Sequence, residues 1–523
     1  TAPTTPLTAS LFIRSNSIVP WAIGERYTGG GLGDANMGNT LLTYVAGSGL
    51  TPLNLTTEYN TYALAGALDN TREVLDADLT GLAGKGLNSL VLHNNISGAS
   101  STFNVTGLGA GNALAVNSGA FLFTLNTGAT ASSSNGIVLS GFDDGITVRA
   151  TNEYIFHVVN PSSATTTPTL TATISSPLTS MADITKTGRG TLVLTTANTA
   201  GGGTRRTTLN EGILEIADLD NIGGDTGDLV FAGGTLRLGA GFTDDISMRT
   251  ITIHQGGATL DTNGNDLVLA GSMGSGAGGL TKIGNGTLTL NASATYAGPT
   301  VLTTGALVVG ANNALGVGGD LSLAGGTTLD FGAFNLTHDL VSTSGASPAL
   351  LGTGTISASR GFFFNHTGAS TIDAVLAGTG GLLKAQNTSL TLNGANTYSG
   401  MTEIQAGTIF FNSIASVGGG ASSFGAPTTV ENGIIRLGLT TAATTLIYNG
   451  AGHDSDRILG LQATTGGFTL NADGAGMVGF GGISGLNPGV KTVLLGGASD
   501  PANLNRMGGI LDVIDSPMMI API

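Results

Sequence analysis

Short runs of apolar residues that alternate with polar ones recur through the middle of the chain. Each run is about four or five residues long, and the alternation places every second side chain on one face, as in a strand with one buried side. We predict a strand at each of seven such runs: Thr191–Leu194, Ile213–Ile216, Asp228–Phe231, Thr235–Leu238, Thr250–Ile253, Ala258–Asp261 and Asp266–Leu269.

The spacing of these runs predicts coils that stack on one another. The starts of the first two runs lie 22 residues apart (213 − 191), which fits a coil of three short strands in which a long step contains a turn and a further strand. Gly-Gly and Asn-Gly pairs between the runs, such as Asn263-Gly264, favour tight turns. The best candidate for a helix, Glu58–Leu75, is short and poorly capped.

Strands this short are stable only if each coil hydrogen-bonds to the next at about 4.8 Å. The sequence therefore predicts an all-β chain folded as a parallel β-helix of about 20 to 24 coils. Inward positions would be filled by leucine stacks, and threonine would suit the outward positions because its branched side chain fits an exposed pleat. The predicted stacks are Leu192/Leu194, Leu288/Leu290 and Leu390/Leu392.

A longer block recurs three times at close to one-hundred-residue spacing, with a lysine in the same place in each copy. The copies begin at Ile184, Gly279 and Gly381, and the lysines, Lys186, Lys282 and Lys384, are 96 and 102 residues apart (282 − 186, 384 − 282). A repeat without a change of composition indicates one kind of structure repeated along the chain.

Composition narrows the class of protein further. Charged residues are 10% of the 523 residues and aromatic residues 5%, whereas 86 are glycine, so a regular lattice of backbone and small side chains is favoured over a globular core. With no cysteine, disulfides and thiolate metal sites are excluded. The net charge of −15 disfavours nucleic acid and anionic membranes and favours basic partners or divalent cations.

The repeated block resembles a known family. The pattern G-L-x-K-x-G-x-G-T-L-x-L, followed by N-T-Y-x-G-x-T and G-x-L, is similar to the autotransporter-associated β-strand repeat, also called the passenger-associated transport repeat, of large secreted bacterial proteins. The resemblance covers residues 184–411 and extends through 464–513. It implies export from a diderm bacterium, a right-handed parallel β-helix at the cell surface, and a repeat without catalytic residues.

The copies depart from the pattern at several positions. Ala200 stands where the other copies have Tyr296 and Tyr398, and Gln386 and Thr388 replace both turn glycines in the third copy. We predict a less regular β-rich section over residues 1–113, continuous with a parallel β-helix over 114–523 whose repeat blocks start near 184, 280 and 382. We also expect the chain to be truncated at both ends, and no apolar run reaches the ~18 residues of a membrane-spanning helix.

Acidic clusters are the strongest candidates for chemistry. Parallel β-helix lyases and hydrolases bind Ca²⁺ or activate water with carboxylates gathered from successive coils. Calcium is the one cofactor that the pattern allows, and most of these carboxylates are expected to be solvated turn residues. The candidate calcium ligands are Asp244, Asp245, Asp454 and Asp456, and Arg457 is the one basic residue directly within a cluster.

Other motifs carry little chemistry. Gly274–Gly279 matches G-x-G-x-x-G but leads into a predicted strand instead of the helix that a dinucleotide site needs, and the six histidines have no metal-ligand spacing. The repeat lysines would cover a turn or pair with a carboxylate. Tyr296 and Tyr398, with Phe362–Phe364 and Phe410–Phe411, would form either an exposed aromatic patch for glycans or an inward stack.

Three functional hypotheses follow. The first is a non-catalytic extracellular structural or adhesive protein, a β-helical rod or fibre segment that binds a polysaccharide or a neighbouring cell surface. The second is a carbohydrate-active β-helix enzyme, which would require three or more carboxylates and a basic residue in one groove. The third is self-association into a filament or surface layer. We favour the first, with no catalytic and no cofactor-binding residues.

Overall fold

The computed structural model describes residues 18–24, 40–45, 49–53, 55, 58–96, 100–126, 134–149, 153–160, 169–439, 441–497, 506–511 and 518–522. The chain is all-β, with about 3% helix, and its strands form a parallel β-solenoid of about 18 turns. The predicted fold class is confirmed. None of the helices in the described part of the chain is long and apolar enough to cross a bilayer.

The turns are fewer than predicted because the coils near the N-terminus are longer than 22 residues. Ala120 pairs with Ile155, a spacing of 35 residues (155 − 120), whereas Thr191 pairs with Ile213 at the predicted spacing of 22 (213 − 191). The chain divides into two compact units, residues 1–267 and 268–523. The domain boundary predicted between residues 113 and 114 stays a prediction.

The described residues of unit 1 form a three-stranded antiparallel sheet, two long parallel sheets, a short three-stranded parallel sheet, and two short 3₁₀ helices at Leu219–Ile222 and Ile246–Met248. Its strands are β1 (Ile18–Gly24), β2 (Thr40–Val45), β3 (Gly49–Pro52), β4 (Asn70–Leu75), β5 (Leu79–Leu82), β6 (Gly86–Leu87), β7 (Ser89–Asn94), β8 (Thr102–Gly109), β9 (Ala113–Val116), β10 (Ala120–Leu125), β11 (Ser134–Phe142), β12 (Gly145–Thr147), β13 (Tyr154–Val158), β14 (Thr169–Ser175), β15 (Ile184–Thr187), β16 (Thr191–Leu194), β17 (Arg206–Leu209), β18 (Ile213–Ile216), β19 (Asp228–Phe231), β20 (Thr235–Leu238), β21 (Thr250–Ile253) and β22 (Ala258–Asp261).

Two parallel sheets enclose the core of unit 1. The first sheet has the order β4-β7-β10-β13-β15-β17-β19-β21, and the second sheet has the order β5-β8-β11-β14-β16-β18-β20-β22. In β16 the side chains of Leu192 and Leu194 point inward and are buried, while Thr191 and Val193 lie on the outer face. The predicted leucine stack is therefore present, and successive coils extend it through Leu214 of β18.

The prediction of three strands per coil is wrong for the part of unit 1 between residues 206 and 261. After β18 the chain forms the 3₁₀ helix Leu219–Ile222, and after β20 it forms Ile246–Met248, so each coil has two strands and a helical corner. The reason is local. Asp218 and Asp245 cap these helices by accepting a hydrogen bond from the backbone N–H of the second helical residue, Asp220 or Ser247, which stabilises a turn instead of a strand.

The N-terminal part of unit 1 buries both faces of its first sheet. All six residues of β10 are buried, and the outward residues Val91 and Leu122 pack against Leu41 and Leu53 of the antiparallel segment, with Tyr59 beside them. Because a second layer covers these strands, their sequence is apolar without alternation. This covering layer explains why the pattern is less regular there.

Unit 2 contains the remaining strands and one α-helical turn, α1 (Val430–Gly433). The strands are β23 (Leu267–Leu269, which starts at the last residue of unit 1), β24 (Ser275–Gly276), β25 (Leu280–Ile283), β26 (Thr287–Leu290), β27 (Thr295–Tyr296), β28 (Thr300–Leu302), β29 (Ala306–Val309), β30 (Leu321–Leu323), β31 (Thr328–Asp330), β32 (Leu336–Gly345), β33 (Ala349–Leu351), β34 (Thr355–His366), β35 (Ser370–Ile372), β36 (Val375–Ala377), β37 (Gly381–Lys384), β38 (Ser389–Leu392), β39 (Thr402–Ile404), β40 (Gly407–Phe411), β41 (Ile435–Leu437), β42 (Thr444–Tyr448), β43 (His453–Asp454), β44 (Ile458–Leu461), β45 (Phe468–Ala472), β46 (Val478–Gly485), β47 (Lys491–Gly496), β48 (Arg506–Leu511) and β49 (Met518–Pro522).

Three parallel sheets form the main body of unit 2. The long sheet contains β25, β28, β30, β32 and β34, and continues from β34 through β37, β39, β41, β44, β46 and β48. The side sheet contains β26, β29, β31 and β33, and the hydroxyl sheet contains β35, β38, β40, β42, β45, β47 and β49. The predicted stacks Leu288/Leu290 and Leu390/Leu392 are fully buried between them.

Candidate functional site

The lysine shared by the three repeats is buried inside its coil. The side chain of Lys186 has no exposed surface, and its ammonium nitrogen donates to the carbonyl oxygens of Thr187 at 2.9 Å, Gly188 at 2.5 Å and Glu211 at 3.0 Å. The first two carbonyls belong to the turn after its own strand, and the third belongs to the next coil. One cation therefore joins a turn to its neighbour in the stack.

The other two copies repeat this geometry. Lys282 donates to the carbonyls of Gly284 at 2.5 Å and Thr304 at 3.2 Å, and Lys384 donates to those of Gln386 at 2.5 Å and Ala406 at 2.9 Å. The turn of the third copy keeps the geometry although its two glycines are replaced, because the lysine binds backbone oxygens that any residue supplies.

A glycine of the same repeat makes room for each lysine. A Cβ atom at Gly305 would lie 2.7 Å from the Lys282 nitrogen, and one at Gly407 would lie 2.8 Å from the Lys384 nitrogen. Both glycines also have positive φ angles, 76° and 81°, a conformation that side chains with a Cβ rarely adopt. Each Cβ would also lie 2.5 Å or less from a backbone carbonyl of the preceding coil, so the G-x-L glycine leaves room for both that turn and its lysine.

The electrostatics of this arrangement are unusual for lysine. Burial lowers the pKa of Lys186 to about 7, with a smaller opposing effect from the carboxylate of Glu211, and burial lowers the pKa of Lys384 to about 8. Within the described residues Lys186 and Lys384 bond to carbonyl oxygens and form no salt bridge. The prediction that the repeat lysines cover a turn is confirmed for all three, and the alternative of a carboxylate pair is wrong for Lys186 and Lys384.

The repeat tyrosines belong to the interior as well. Tyr296 and Tyr398 are fully buried, and each hydroxyl group lies 2.7 Å from a threonine hydroxyl four residues later, that of Thr300 or Thr402. Burial raises the pKa of Tyr398 to about 12. These side chains fill and cross-link the core and cannot contact an external ligand.

The first repeat lacks this tyrosine, and its threonine shows the consequence. Thr207 pairs with Ile184, as Thr300 pairs with Leu280 in the second copy. The hydroxyl of Thr207 is buried and has no hydrogen-bond partner, because Ala200 stands at the tyrosine position. This is a direct structural effect of a departure that the sequence already shows.

The aromatic patch predicted for glycan binding is not formed by these residues. Phe362, Phe364 and Phe411 are buried, like the two tyrosines. Only Phe363 and Phe410 point outward and are half-buried, and they lie on different sheets, in β34 and β40. The inward alternative is confirmed for the repeat tyrosines because period-two alternation places them on the core side.

In the acidic cluster around Asp454 and Asp456, the aspartates point to solvent and the neighbouring arginine points into the core. Asp454 and Asp456 are exposed, whereas Arg457 is buried with only 1% of its surface accessible. Asp454 forms a salt bridge with Arg506 at 2.5 Å, and Asp456 accepts a hydrogen bond from the backbone N–H of Val417 at 2.8 Å. The groove that the enzyme hypothesis requires is not built by these residues.

Arg457 has a structural partner set instead. Its guanidinium donates to the carbonyl of Gly433 at 2.8 Å and to that of Phe424 at 2.7 Å, which holds the long segment between β40 and β41 against the core. Arg249 binds four backbone carbonyls of unit 1 in the same manner. Sequence reasoning missed both roles, since a single buried arginine outside the repeat pattern leaves no periodic signal.

The second pair of calcium candidates serves the helical corners of unit 1. Asp244 accepts a hydrogen bond from the backbone N–H of Leu219 at 2.8 Å, and Asp245 accepts from the N–H of Ser247 at 2.8 Å. Among the residues that the structure describes, no three His, Asp or Glu side chains come together in a way that could hold a metal ion. Calcium binding at these four aspartates stays a prediction.

The formal dinucleotide motif consists of the short strand β24 and the bends around it. Gly274 and Gly276 adopt positive φ angles of 99° and 133°, and the segment leads into the strand β25 that starts at Leu280. No helix N-terminus is available there for a pyrophosphate. The prediction that this motif supplies turn glycines fits Gly274, whereas Gly276 belongs to β24.

The comparisons with known proteins agree with this architecture. The family model for the passenger-associated-transport-repeat matches residues 184–216, 280–309 and 382–409, which are the three segments that contain the buried lysines. The chain therefore carries three copies of this repeat, and the resemblance predicted from sequence is confirmed. No solved structure matches the chain.

One curated relative shares a large part of the chain. It is the "Adhesin BmaC autotransporter" of Brucella suis biovar 1 (strain 1330), to which the chain is 31% identical over 264 residues. The matched region is 50% of this chain and 7% of the relative. The similarity thus concerns a small segment of a far longer protein.

Proposed function

Because the chain carries three passenger-associated-transport repeats, we propose that it is a segment of an exported bacterial surface protein, and that it acts as a non-catalytic adhesive or structural scaffold. The observation that carries this proposal is the use of the repeat residues. The lysine and tyrosine of the repeat form hydrogen bonds inside the coils, and its glycine leaves the space that close packing there requires. The repeat consequently builds a scaffold and leaves contact with partners to outward residues.

The relative supports the adhesive part of the proposal. Half of this chain is 31% identical to a protein named as an autotransporter adhesin. A solenoid suits adhesion because its stacked coils present extended faces whose outward residues do not affect the core. The net charge of −15 would keep the chain from anionic surfaces and favour neutral or basic partners. Export from the cell belongs to the same proposal.

An adhesion assay with the 523-residue chain tests the proposal. Fluorescent beads that carry the purified chain are expected to remain on epithelial cells after washing, and an excess of the soluble chain is expected to displace them. Beads that carry serum albumin at equal density are the control. Retention no greater than that of the control beads would remove the adhesive role.

A second assay addresses the non-catalytic part. The chain is incubated with a panel of soluble polysaccharides, and new reducing ends or unsaturated products are measured. We expect no product above the buffer blank. Product formation that depends on Asp454 or Asp456 would establish the carbohydrate-active enzyme instead.

A further inference from the structure

The outer face of the hydroxyl sheet carries an unbroken column of hydroxyl residues across four strands. Ser389 pairs with Thr408, Thr408 with Thr445, and Thr445 with Thr469. These four residues are half-buried at outward positions of β38, β40, β42 and β45. They form a column of hydroxyl groups across four consecutive strands, spaced by about 4.8 Å.

A second column beside it contains an aromatic ring. Phe410 follows Thr408 by two residues, so both point outward, and Phe410 pairs with Ile447 on the next strand. Both side chains are half-buried on a face without any covering strand in the described residues. The face therefore combines a flat apolar centre with a flanking row of hydroxyl groups.

These hydroxyl groups are available to a ligand. Within the described part of the chain the side chains of the four column residues have no hydrogen-bond partner in the protein, whereas on the long sheet the hydroxyls of Ser322 and Ser342 bond to each other at 2.9 Å. A hydroxyl group both donates and accepts. A row of unpaired hydroxyls thus offers both halves of the hydrogen bonds that another polyhydroxylated molecule makes.

Charge restricts the class of partner. The outward residues of β38, β40, β42 and β45 include no charged side chain. In unit 1 the corresponding outward row of the second sheet is charged, since Arg237 lies 2.8 Å from Asp261 and 3.7 Å from Glu215. An uncharged face on a chain of net charge −15 favours a neutral partner, because an ionic one would be desolvated without a counter-charge.

The size of the face decides between a polymer ligand and a second copy of the chain. The four strands of the column at ~4.8 Å and five residues at ~3.3 Å give about 320 Å² per molecule. Two copies face to face would bury about 640 Å², which is below the ~1,200 Å² of stable specific interfaces. The same area suits several sugar units of an extended chain.

We propose that the outer face of the hydroxyl sheet binds a neutral polysaccharide, with Phe410 stacked on the apolar face of one sugar ring and the hydroxyl column bonded to its neighbours. This assignment names the partner class for the adhesive role proposed above and rests on it. The ligand is recognised by its uncharged hydroxyl groups and by the apolar faces of its rings.

An array of immobilised neutral and sulfated glycans tests this assignment with the full 523-residue chain. The chain is expected to bind neutral glycans, and Phe410→Ala is expected to lower that binding by about tenfold through the loss of ring stacking. Thr445→Glu, which places a charge in the hydroxyl column, is expected to abolish it. Circular dichroism of each variant verifies that the β-structure is kept.

Matched controls lie on other faces of the same unit. Phe363→Ala removes the half-buried outward phenylalanine of the long sheet, and Thr289→Glu places a charge on the side sheet. Both are expected to bind glycans like the wild type. Hydrogen exchange of the unsubstituted chain locates the ligand without any variant, with added protection expected in β40 and β42.

The outcomes separate this assignment from the adhesive role. Binding of sulfated glycans alone, equal losses in the controls, or a dimer in light scattering that Thr445→Glu disrupts would each overturn the polysaccharide site. If the beads still adhere to cells while no neutral glycan binds, the adhesive role stands and the assigned face is wrong. If glycan binding requires Phe410 and no cell is bound, the assigned face is right and the adhesive role is wrong.

Discussion

At the scale of single residues, the buried lysines explain why the three copies of the repeat share their pattern. Lys186, Lys282 and Lys384 each bond to carbonyls of two successive coils, and a buried carbonyl that loses its donor costs free energy because it has left water. The lysine thus stabilises the contact between two coils, whereas a surface lysine would bond to water.

Substitution of the central lysine is expected to weaken unit 2. Lys282→Met keeps the apolar stem and removes the ammonium group, which leaves buried carbonyls without a donor and lowers the free energy of unfolding by about 3 kcal/mol. Chemical denaturation followed by circular dichroism measures the change. Arg360→Met, at an arginine whose side chain is 62% exposed, is the control and should cost less than about 1 kcal/mol. Equal effects of the two substitutions would contradict the structural role.

The threonine that follows the repeat tyrosine provides a matched series. Thr300→Val and Thr402→Val leave a buried tyrosine hydroxyl unpaired and should each lower the free energy of unfolding by about 1 to 2 kcal/mol. Thr207→Val should be neutral or stabilising, because the Thr207 hydroxyl is already buried without a partner. Denaturation midpoints of the three variants check this order, and a loss at Thr207 as large as the others would refute it.

At the scale of elements, alternation in the sequence decides which side chains enter the core. Leu288 is fully buried while its neighbour Thr289 lies on the outer face. A strand in this position tolerates change on one face only, since the inward side chain touches the leucines of adjacent coils and the outward one meets solvent.

Adjacent substitutions in β26 test this alternation. Leu288→Ala should lower the free energy of unfolding by about 3 kcal/mol through the cavity it creates, and Thr289→Ala should lower it by less than about 1 kcal/mol. Thermal unfolding of both variants gives the comparison. If the threonine variant were the less stable one, the register of the strand would be wrong by one residue.

Many of the strands could be predicted from the sequence, whereas the helical corners and the N-terminal strands could not. The strands between residues 191 and 269 were visible because each buries one face. The helical corners at Leu219–Ile222 and Ile246–Met248 depend on single capping aspartates, which resemble any turn carboxylate. The apolar strands near the N-terminus lost their alternation because Leu41 and Leu53 cover them from outside.

The candidate site was predictable only in part for similar reasons. The shared position of the lysines marked them as important, but their burial required knowledge of the next coil, which supplies the second set of carbonyls. The hydroxyl sheet shows the opposite case. Thr408, Thr445 and Thr469 lie far apart in sequence at unequal spacings, so only the pairing of strands reveals a column.

At the scale of the whole molecule, buried histidines make stability depend on pH. Burial lowers the pKa of His338 to about 4, against smaller opposing effects from the Gly319 carbonyl and two aspartates, and also lowers that of His93 to about 4. The folded chain keeps these rings neutral where the unfolded chain, with a pKa of 6.5, takes up protons. Their contribution to stability is complete above pH 6.5 and is lost as the pH falls towards 4.

For His338 alone this linkage amounts to about 3 kcal/mol between the two pKa values. The denaturant concentration at the midpoint should therefore decrease as the pH is lowered from 6.5 to 4. His338→Gln should make this decrease smaller, because glutamine does not titrate. His254, an exposed histidine, supplies the control His254→Gln, which should leave this decrease unchanged. A midpoint that rises on acidification would contradict the assignment.

The central claim for the whole molecule is that the repeats form consecutive parallel coils in the stated register. Thr289 pairs with Val308, and Val308 pairs with Asp330 one coil further on. Paired positions are about 4.8 Å apart and positions two coils apart about 9.6 Å. Disulfides need Cα atoms within about 7 Å, so they distinguish the two distances.

Disulfide formation in the otherwise cysteine-free chain tests this claim most directly. Thr289→Cys combined with Val308→Cys should form an intramolecular disulfide under mild oxidation, seen as a shifted band on a non-reducing gel and confirmed by mass spectrometry. Thr289→Cys combined with Asp330→Cys should remain reduced under the same conditions. A bond in the second pair but not in the first would show that the coils are not stacked in this register.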